Sequence, residues 1–224
     1  FGCTFGFKAW WRGKSSCTIC YYSLFEGSCD MYVIFEGVDT CGKSTQIELF
    51  ATRHHDVIAT KEPGGTPTGK KLRSILLDGD DKLSFNAELF LFLADRALHY
   101  DTIVKQGREN GVVMSDRGFL SGVAYACANH PEVDQAFLLL LNRFALEGNY
   151  PDKIVLFLTN EKLLKERLSS KDHDAIESRG SEYLLKIQAI MQAILEHLGI
   201  EYTQVAAALS KEEIYTIIEE FIYG

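Results

Sequence analysis

The chain has 224 residues and a formal net charge of -8. This length can bury the core of one sizeable domain without disulfides or metals. The negative charge disfavours a protein that coats nucleic acid, and no apolar run reaches the roughly 18 residues of a membrane span, so we expect neither kind of partner.

Residues 1–30 differ in composition from the rest of the chain. They hold both tryptophans and every cysteine except Cys41 and Cys127. The sparse thiols of the remaining chain are typical of a reducing cytoplasm, where we expect the protein to reside. The N-terminal cysteine spacing fits no standard zinc pattern, so a zinc site there is a disfavoured alternative. Because Met31 comes directly before a strand pattern, we interpret residues 1–30 as a leader outside the natural fold and residues 31–224 as the folded domain.

From Met31 onward, short apolar runs alternate with longer helical patterns, which predicts a parallel sheet covered by helices on both faces. The predicted strands are 32–36, 56–60, 111–115, 153–158 and 201–205. The predicted helices are about 43–53, 69–78, 84–106, 119–128, 132–147, 161–169, 181–198 and 211–222. The polar segment 169–180, "SSKDHDAIESRG", is interpreted as a short mobile lid, with an ordinary solvated connection as the alternative.

The stretch "FEGVDTCGKST" contains the pattern G-x-x-x-x-G-K-[ST] between a predicted strand and a predicted helix. In that context, backbone N–H groups and the helix N-terminus hold phosphate oxygens. The pattern predicts a three-layer α/β P-loop NTPase fold. Lys43 is expected to bridge the outer phosphates, and Ser44 to bind Mg²⁺ together with Asp116 at the end of a later strand. The predicted ATP site consists of Gly37, Val38, Asp39, Thr40, Cys41, Gly42, Lys43, Ser44 and Thr45.

A phosphate loop does not by itself identify the reaction. The N-K-x-D motif typical of GTPases is absent from the sequence, and the short acidic chain disfavours a motor ATPase. Arginines in "EPGGTPTGKKLR", "LFLFLADR" and "SDRGFLSGVAYA" instead suggest a second phosphate site, because a guanidinium can make two charge-assisted bonds to oxygens. We therefore expect an acceptor that is itself a phosphate ester.

These motifs, in this order and together with "PDKIVLFL", resemble the bacterial-type thymidylate kinase family over essentially residues 31–224. The resemblance implies transfer of phosphate from ATP to dTMP with Mg²⁺, and a homodimer. It implies that Phe92 stacks on thymine, that Arg96 hydrogen-bonds a base carbonyl, and that Asp39 addresses the 3′-hydroxyl. The acceptor site implied by the resemblance consists of Asp39, Glu62, Arg73, Phe92, Arg96, Arg117, Ser121 and Tyr125.

The acceptor oxygen of a monophosphate is already ionised, so catalysis requires positioning and charge neutralisation rather than a strong base. The resemblance implies that extra positive charge comes either from an arginine after the P-loop acid or from the lid. Thr40 stands at the first position and Ala175 replaces the arginine of the usual D-R-I-E. The expected catalytic residues are therefore Lys43, Asp39, Arg117, Arg179 and Lys171, with Arg167 as the fallback cation.

Three small residues, Gly118, Gly122 and Ala126, stand where the family often has larger or polar side chains. We therefore expect base recognition to depend more on Arg96 and ordered water, with a less certain choice between dTMP and dUMP. Two alternatives stay open from the sequence: another small P-loop nucleotide or nucleoside kinase, and a nucleotide-binding regulator that no longer turns over.

Overall fold

A computed structural model describes residues 30–79, 82–168 and 180–224. The N-terminal cysteines and the predicted lid residues Lys171 and Arg179 lie outside these ranges. The strands are β1 Met31–Glu36, β2 Val57–Lys61, β3 Val112–Asp116, β4 Lys153–Leu158 and β5 Glu201–Ala206. The α-helices of the described ranges are α1 Lys43–Arg53, α2 Pro67–Leu77, α3 Phe85–His99, α4 Lys105–Arg108, α5 Phe119–Asn129, α6 Gln135–Ala145, α7 Glu161–Leu168, α8 Gly180–Leu198 and α9 Lys211–Tyr223.

The strands form one parallel sheet in the order β2-β3-β1-β4-β5, as the sequence predicts. β1 lies at its centre, where Phe35 pairs with Asp116 of β3 on one side and with Val155 of β4 on the other. The carboxyl ends of β1 and β3 are therefore adjacent. In open α/β sheets this edge is where ligands bind.

Helices cover both faces of the sheet, so the predicted three-layer arrangement is confirmed. Tyr32 and Ile34 of β1 pack into a core with residues of α5 and α8. Val33 and Phe35 point to the opposite face and pack with residues of α1 and α9. Burial on both faces explains why the central strands β1, β3 and β4 are apolar runs rather than alternating patterns.

The predicted helix 84–106 is not one regular α-helix. α3 ends at His99, and a π-helical segment, Tyr100–Val104, connects it to α4. π-helical turns are rare in proteins, and those that occur are often located at functional sites. α2 begins two residues earlier than predicted because Thr66 caps the N–H of Gly69 at 2.8 Å and Pro67 fits the first turn. Within the described ranges, no helix has both the length and the hydropathy needed to cross a bilayer.

Candidate active site

The loop between β1 and α1 has the backbone of a phosphate cradle. Gly37 and Gly42 have φ angles of 139° and 102°, which favour glycine, and a Cβ on Gly37 would lie 2.8 Å from the carbonyl oxygen of Phe157. The bond from the Gln46 N–H to the Gly42 oxygen, 3.2 Å long, joins α1 to the loop. The preceding amides stand at the positive end of the helix dipole, and the first turn carries no acidic residue to compete with an anion.

Lys43 is buried inside this loop. Its Nζ donates to the carbonyl oxygens of Gly37 at 3.1 Å and Val38 at 2.9 Å, and it lies 3.6 Å from the Sγ of the buried Cys41. Three contacts within one loop hold the ammonium group beside the start of α1. This places a positive charge where phosphate oxygens would meet the helix N-terminus.

Ser44 and Asp116 meet at the edge formed by β1 and β3. The hydroxyl of Ser44 donates a hydrogen bond to the Asp116 carboxylate. Ser44 and the neighbouring Thr45 are both exposed. The structure therefore brings together both residues of the predicted metal site.

Arg117 connects the phosphate loop to α5. Its Nη2 pairs with Asp39 Oδ1 at 2.5 Å, and its Nη1 donates to the Gly37 oxygen at 3.0 Å and to Ser121 Oγ at 2.9 Å. Its φ angle of 70° lies in the left-handed region, which is uncommon for a non-glycine residue. Three predicted acceptor-site residues are thus in direct contact.

Glu36, the last residue of β1, was not recognised as a site residue from the sequence. It is fully buried, and its carboxylate accepts hydrogen bonds from the N–H groups of Gly118 (3.0 Å) and Ser121 (3.1 Å) and from the Ser121 hydroxyl. Burial raises the pKa of the Glu36 carboxyl, while the bond from Ser121 and the charge of Arg117 oppose that rise. The carboxylate therefore anchors the start of α5. The sequence feature that indicates this role is an acidic residue at the end of the otherwise apolar strand β1.

Arg96 and Glu62 form a buried ion pair below the acceptor side of the site. The Nε of Arg96 lies 2.9 Å from Glu62 Oε2, and Glu62 Oε1 lies 2.8 Å from Nδ1 of His99. The Nε2 of His99 is 2.7 Å from the Thr60 hydroxyl. Burial alone would raise the pKa of Glu62, but Arg96 and His99 outweigh it and hold that pKa below its ordinary value. Glu62 is therefore a carboxylate at neutral pH.

The remaining predicted acceptor residues are Arg73, Phe92 and Tyr125. Arg73 Nη1 donates to the Pro63 oxygen at 3.1 Å, and Phe92 lies one helical turn before Arg96 on α3. The Tyr125 hydroxyl is buried and has no hydrogen-bond partner among the described residues. Burial raises the pKa of this hydroxyl, so it stays protonated and able to donate.

Arg167, the fallback cation, reaches back from α7 to the phosphate loop. Its Nη1 donates to the Thr40 oxygen at 2.7 Å and its Nη2 to the Ala207 oxygen at 2.8 Å. Thr40 has a φ angle of 63°. Arg167 therefore supports the backbone of the loop at a residue in the left-handed region.

The chain is similar to known proteins in sequence and in fold. The sequence model of the thymidylate kinase family matches residues 35–218. The chain is 53% identical over 193 residues to the thymidylate kinase of Campylobacter curvus, covering 86% of this chain and 99% of that protein. It is 48% identical over 192 residues to the thymidylate kinase of a Sulfurovum species, again covering 86% and 99%. The crystal structure of thymidylate kinase from Ehrlichia chaffeensis shares the fold, with a TM-score of 0.68 and 21% identity over 85% of this chain and 97% of that one. This chain belongs to the thymidylate kinase family.

Proposed function

We propose that this protein transfers the γ-phosphoryl group of ATP to dTMP, giving dTDP for dTTP synthesis. Membership of the thymidylate kinase family supports this reaction. The observation that carries it is the 2.5 Å contact between Asp39 and Arg117. This contact joins the phosphate loop, which suits ATP, to Arg117 just before α5, which suits the phosphate of dTMP. The two ligands would therefore meet across one short gap.

On the donor side, the loop 37–45 holds the phosphates of ATP through its backbone N–H groups and the start of α1. Lys43 releases its two carbonyl contacts and pairs with the outer phosphates instead. Arg167 keeps the Thr40 backbone in place from the far side of the loop.

On the acceptor side, Arg73 and Arg117 bind the 5′-phosphate, since guanidinium groups suit two-pronged contacts with phosphate oxygens. Phe92 stacks on thymine and Arg96 donates to a base carbonyl. Asp39 accepts a hydrogen bond from the 3′-hydroxyl. Glu62, Ser121 and Tyr125 line the remaining surface.

The chemistry depends on positioning and on positive charge. A phosphate monoester is ionised at neutral pH, so the attacking oxygen needs no strong general base. Lys43 and Arg117 neutralise charge on the donor and acceptor phosphates, and Asp39 orients the acceptor sugar. The additional cations of this proposal, Arg179 and Lys171, lie outside the described residues.

Mg²⁺ accompanies ATP in this proposal, and the residues present fit the ion. A hydroxyl oxygen of Ser44 and a carboxylate oxygen of Asp116 lie in contact, and both are the hard ligands that Mg²⁺ prefers. The described residues contain no group of three or more Asp, Glu, His or Cys suited to a metal. Nucleotide-bound Mg²⁺ takes further ligands from phosphates and water, so two protein oxygens are sufficient. When bound, it would neutralise charge on the β- and γ-phosphates.

The proposal includes a cytoplasmic homodimer. Phe137, Leu140 and Phe144 of α6 are 50%, 62% and 85% exposed and lie at i, i+3 and i+7, which forms an apolar stripe on one side of the helix. A second copy of the chain would bury this stripe together with the exposed Phe90 of α3. The sparse thiols of residues 31–224 favour the cytoplasm.

Release of ADP, measured in parallel with dTMP, dUMP, dCMP, dGMP and thymidine, tests the reaction. We expect dTMP to be the best acceptor and Lys43→Ala to lose turnover. Activity on thymidine alone would replace the proposal with a nucleoside kinase. Equal inactivity of the wild type and Lys43→Ala, with ATP and dTMP still bound, would replace it with a nucleotide-binding regulator.

A further inference from the structure

Helix α6 contributes a buried amide to Arg96. Asn142 is 2% exposed, and its Oδ1 lies 2.5 Å from Arg96 Nη1. Its Nδ2 donates to the carbonyl oxygen of Leu138 at 2.7 Å. With the amide flipped, the Asn142 NH2 would face an N–H of Arg96 and the amide oxygen would face the Leu138 carbonyl oxygen. The chemistry of both neighbours therefore directs the amide oxygen to Arg96.

Arg96 is held at all three of its nitrogens. Glu62 accepts from Nε at 2.9 Å, Asn142 from Nη1 and the Gly118 oxygen from Nη2 at 3.0 Å. These acceptors come from the loop after β2, from α6 and from the loop before α5, so together they fix the plane of the guanidinium. A guanidinium has five N–H groups. The three acceptors use three of them, which leaves one further N–H group on Nη1 and one on Nη2.

Gly122 of α5 lies beside both terminal nitrogens of Arg96. A Cβ at Gly122 would lie 3.6 Å from both Nη1 and Nη2. Because glycine has no side chain, α5 leaves the terminal nitrogens of Arg96 uncovered by a side chain at this position. Phe92, proposed to stack on the base, lies one helical turn away from Arg96 on α3.

We propose that Asn142 is a positioning residue for base recognition. This inference rests on the proposed function. Asn142 fixes the rotation of the Arg96 guanidinium so that its free N–H groups meet a carbonyl oxygen on the edge of the base. The site then selects a pyrimidine with an oxygen at C4 over one with an amine there. A C4 amine would point its own N–H at the N–H groups of Arg96, and no hydrogen bond could form.

A pair of nearly isosteric variants separates this role from a structural one. Asn142→Leu removes both the bond to Arg96 and the bond to Leu138, whereas Asn142→Asp keeps an acceptor for Arg96 and replaces the donor to Leu138 with a second oxygen. The probes are dTMP and 5-methyl-dCMP, which share the methyl group and differ at C4. Asn149→Leu is the matched control, because its amide also bonds a backbone carbonyl, that of Leu146, but is exposed.

We expect Asn142→Leu to raise the KM for dTMP about tenfold, as for loss of a hydrogen bond to a charged group, with kcat and the KM for ATP unchanged. The preference for dTMP over 5-methyl-dCMP should fall by a similar factor. Asn142→Asp and Asn149→Leu should keep both values close to those of the wild type.

An unchanged preference in a folded Asn142→Leu enzyme would overturn the inference, as would equal damage in Asn142→Asp. If Asn142→Leu does not fold, as judged by its thermal midpoint, Asn142→Ala removes the same acceptor with less bulk. Its preference for dTMP over 5-methyl-dCMP is then the quantity compared with the wild type. A wild-type protein without activity on dTMP would instead refute the proposed function, so the two failures are distinguishable.

Discussion

Asp39 and Arg117 form an ion pair across the edge of the sheet, with Oδ1 and Nη2 separated by 2.5 Å. Asp39 belongs to the phosphate loop, where a negative charge would repel ATP if it faced the donor. Arg117 also donates to the Gly37 oxygen of that loop, so the arginine binds both the acid and the backbone beside it. The acidic residue therefore faces α5 rather than the N-terminus of α1.

Removing the Asp39 carboxylate should separate acceptor use from donor binding. In Asp39→Ala we expect kcat/KM for dTMP to fall about 100-fold, because the sugar and Arg117 lose their common partner, while the Kd for ATP changes little. Steady-state kinetics and calorimetric titration with ATP measure the two effects. Wild type should also prefer dTMP over its 3′-deoxy analogue, and Asp39→Ala should lose that preference. A variant that loses ATP binding to the same extent as turnover would contradict this orientation of Asp39.

Two adjacent hydroxyls offer a matched test of the metal site. Ser44 donates to the Asp116 carboxylate, and the neighbouring Thr45 is exposed like Ser44. We expect Ser44→Ala to raise the Mg²⁺ concentration needed for half-maximal activity about tenfold, because one oxygen ligand is lost. Thr45→Ala should leave that concentration unchanged. The measurement is a Mg²⁺ titration at fixed ATP and dTMP, and equal responses of the two variants would argue against Ser44 as a ligand.

The strands and the phosphate loop could be predicted because their signals are local. The central strands β1, β3 and β4 are mostly apolar runs, and the observed strands agree with the predicted ones to within a residue at either end. The phosphate loop is a single motif between β1 and α1. The π-helical segment Tyr100–Val104 has no distinct sequence period, so the prediction treated it as part of one helix.

The contacts that support the site could not be predicted because they join distant parts of the chain. Asn142 is 46 residues from Arg96 in sequence, and only its position within the apolar helix "FLLLLNRFA" hints at a buried partner. The sequence places Glu36 at the end of a predicted strand, but it does not show that the N–H groups of Gly118 and Ser121 donate to its carboxylate. Tertiary packing, not a local pattern, decides what these polar side chains contact.

The proposed dimer predicts a specific sensitivity at Phe144, which is 85% exposed on α6. Phe144→Asp should raise the dimer dissociation constant by about 100-fold or more, since an unpaired buried charge costs several kcal/mol. Sedimentation equilibrium of the wild type and the variant measures this change. Ile217→Asp, at a 38% exposed apolar residue of α9, is the control and should stay dimeric. A monomeric wild type at micromolar concentration would refute the dimer itself.

The buried Glu36 carboxyl predicts a pH dependence of stability. Burial raises its pKa in the folded state above the value in the unfolded chain. The folded state therefore holds the proton more tightly, so the stability contributed by protonated Glu36 is present below the unfolded pKa and is lost as pH rises through the folded pKa. Glu36→Gln keeps an acceptor oxygen for the N–H groups of Gly118 and Ser121 but cannot ionise.

The free energy of unfolding of Glu36→Gln, measured relative to wild type by urea denaturation, should increase as pH rises from 4 to 8 and level off above the folded pKa. Taking this difference cancels the titration of groups that the two proteins share. Glu220→Gln, at an exposed glutamate near the end of α9, is the control for replacing a carboxyl by an amide. A flat difference for Glu36→Gln would mean that hydrogen bonds from Gly118 and Ser121 balance the cost of burying the charge, and a difference that falls with pH would mean that they outweigh it.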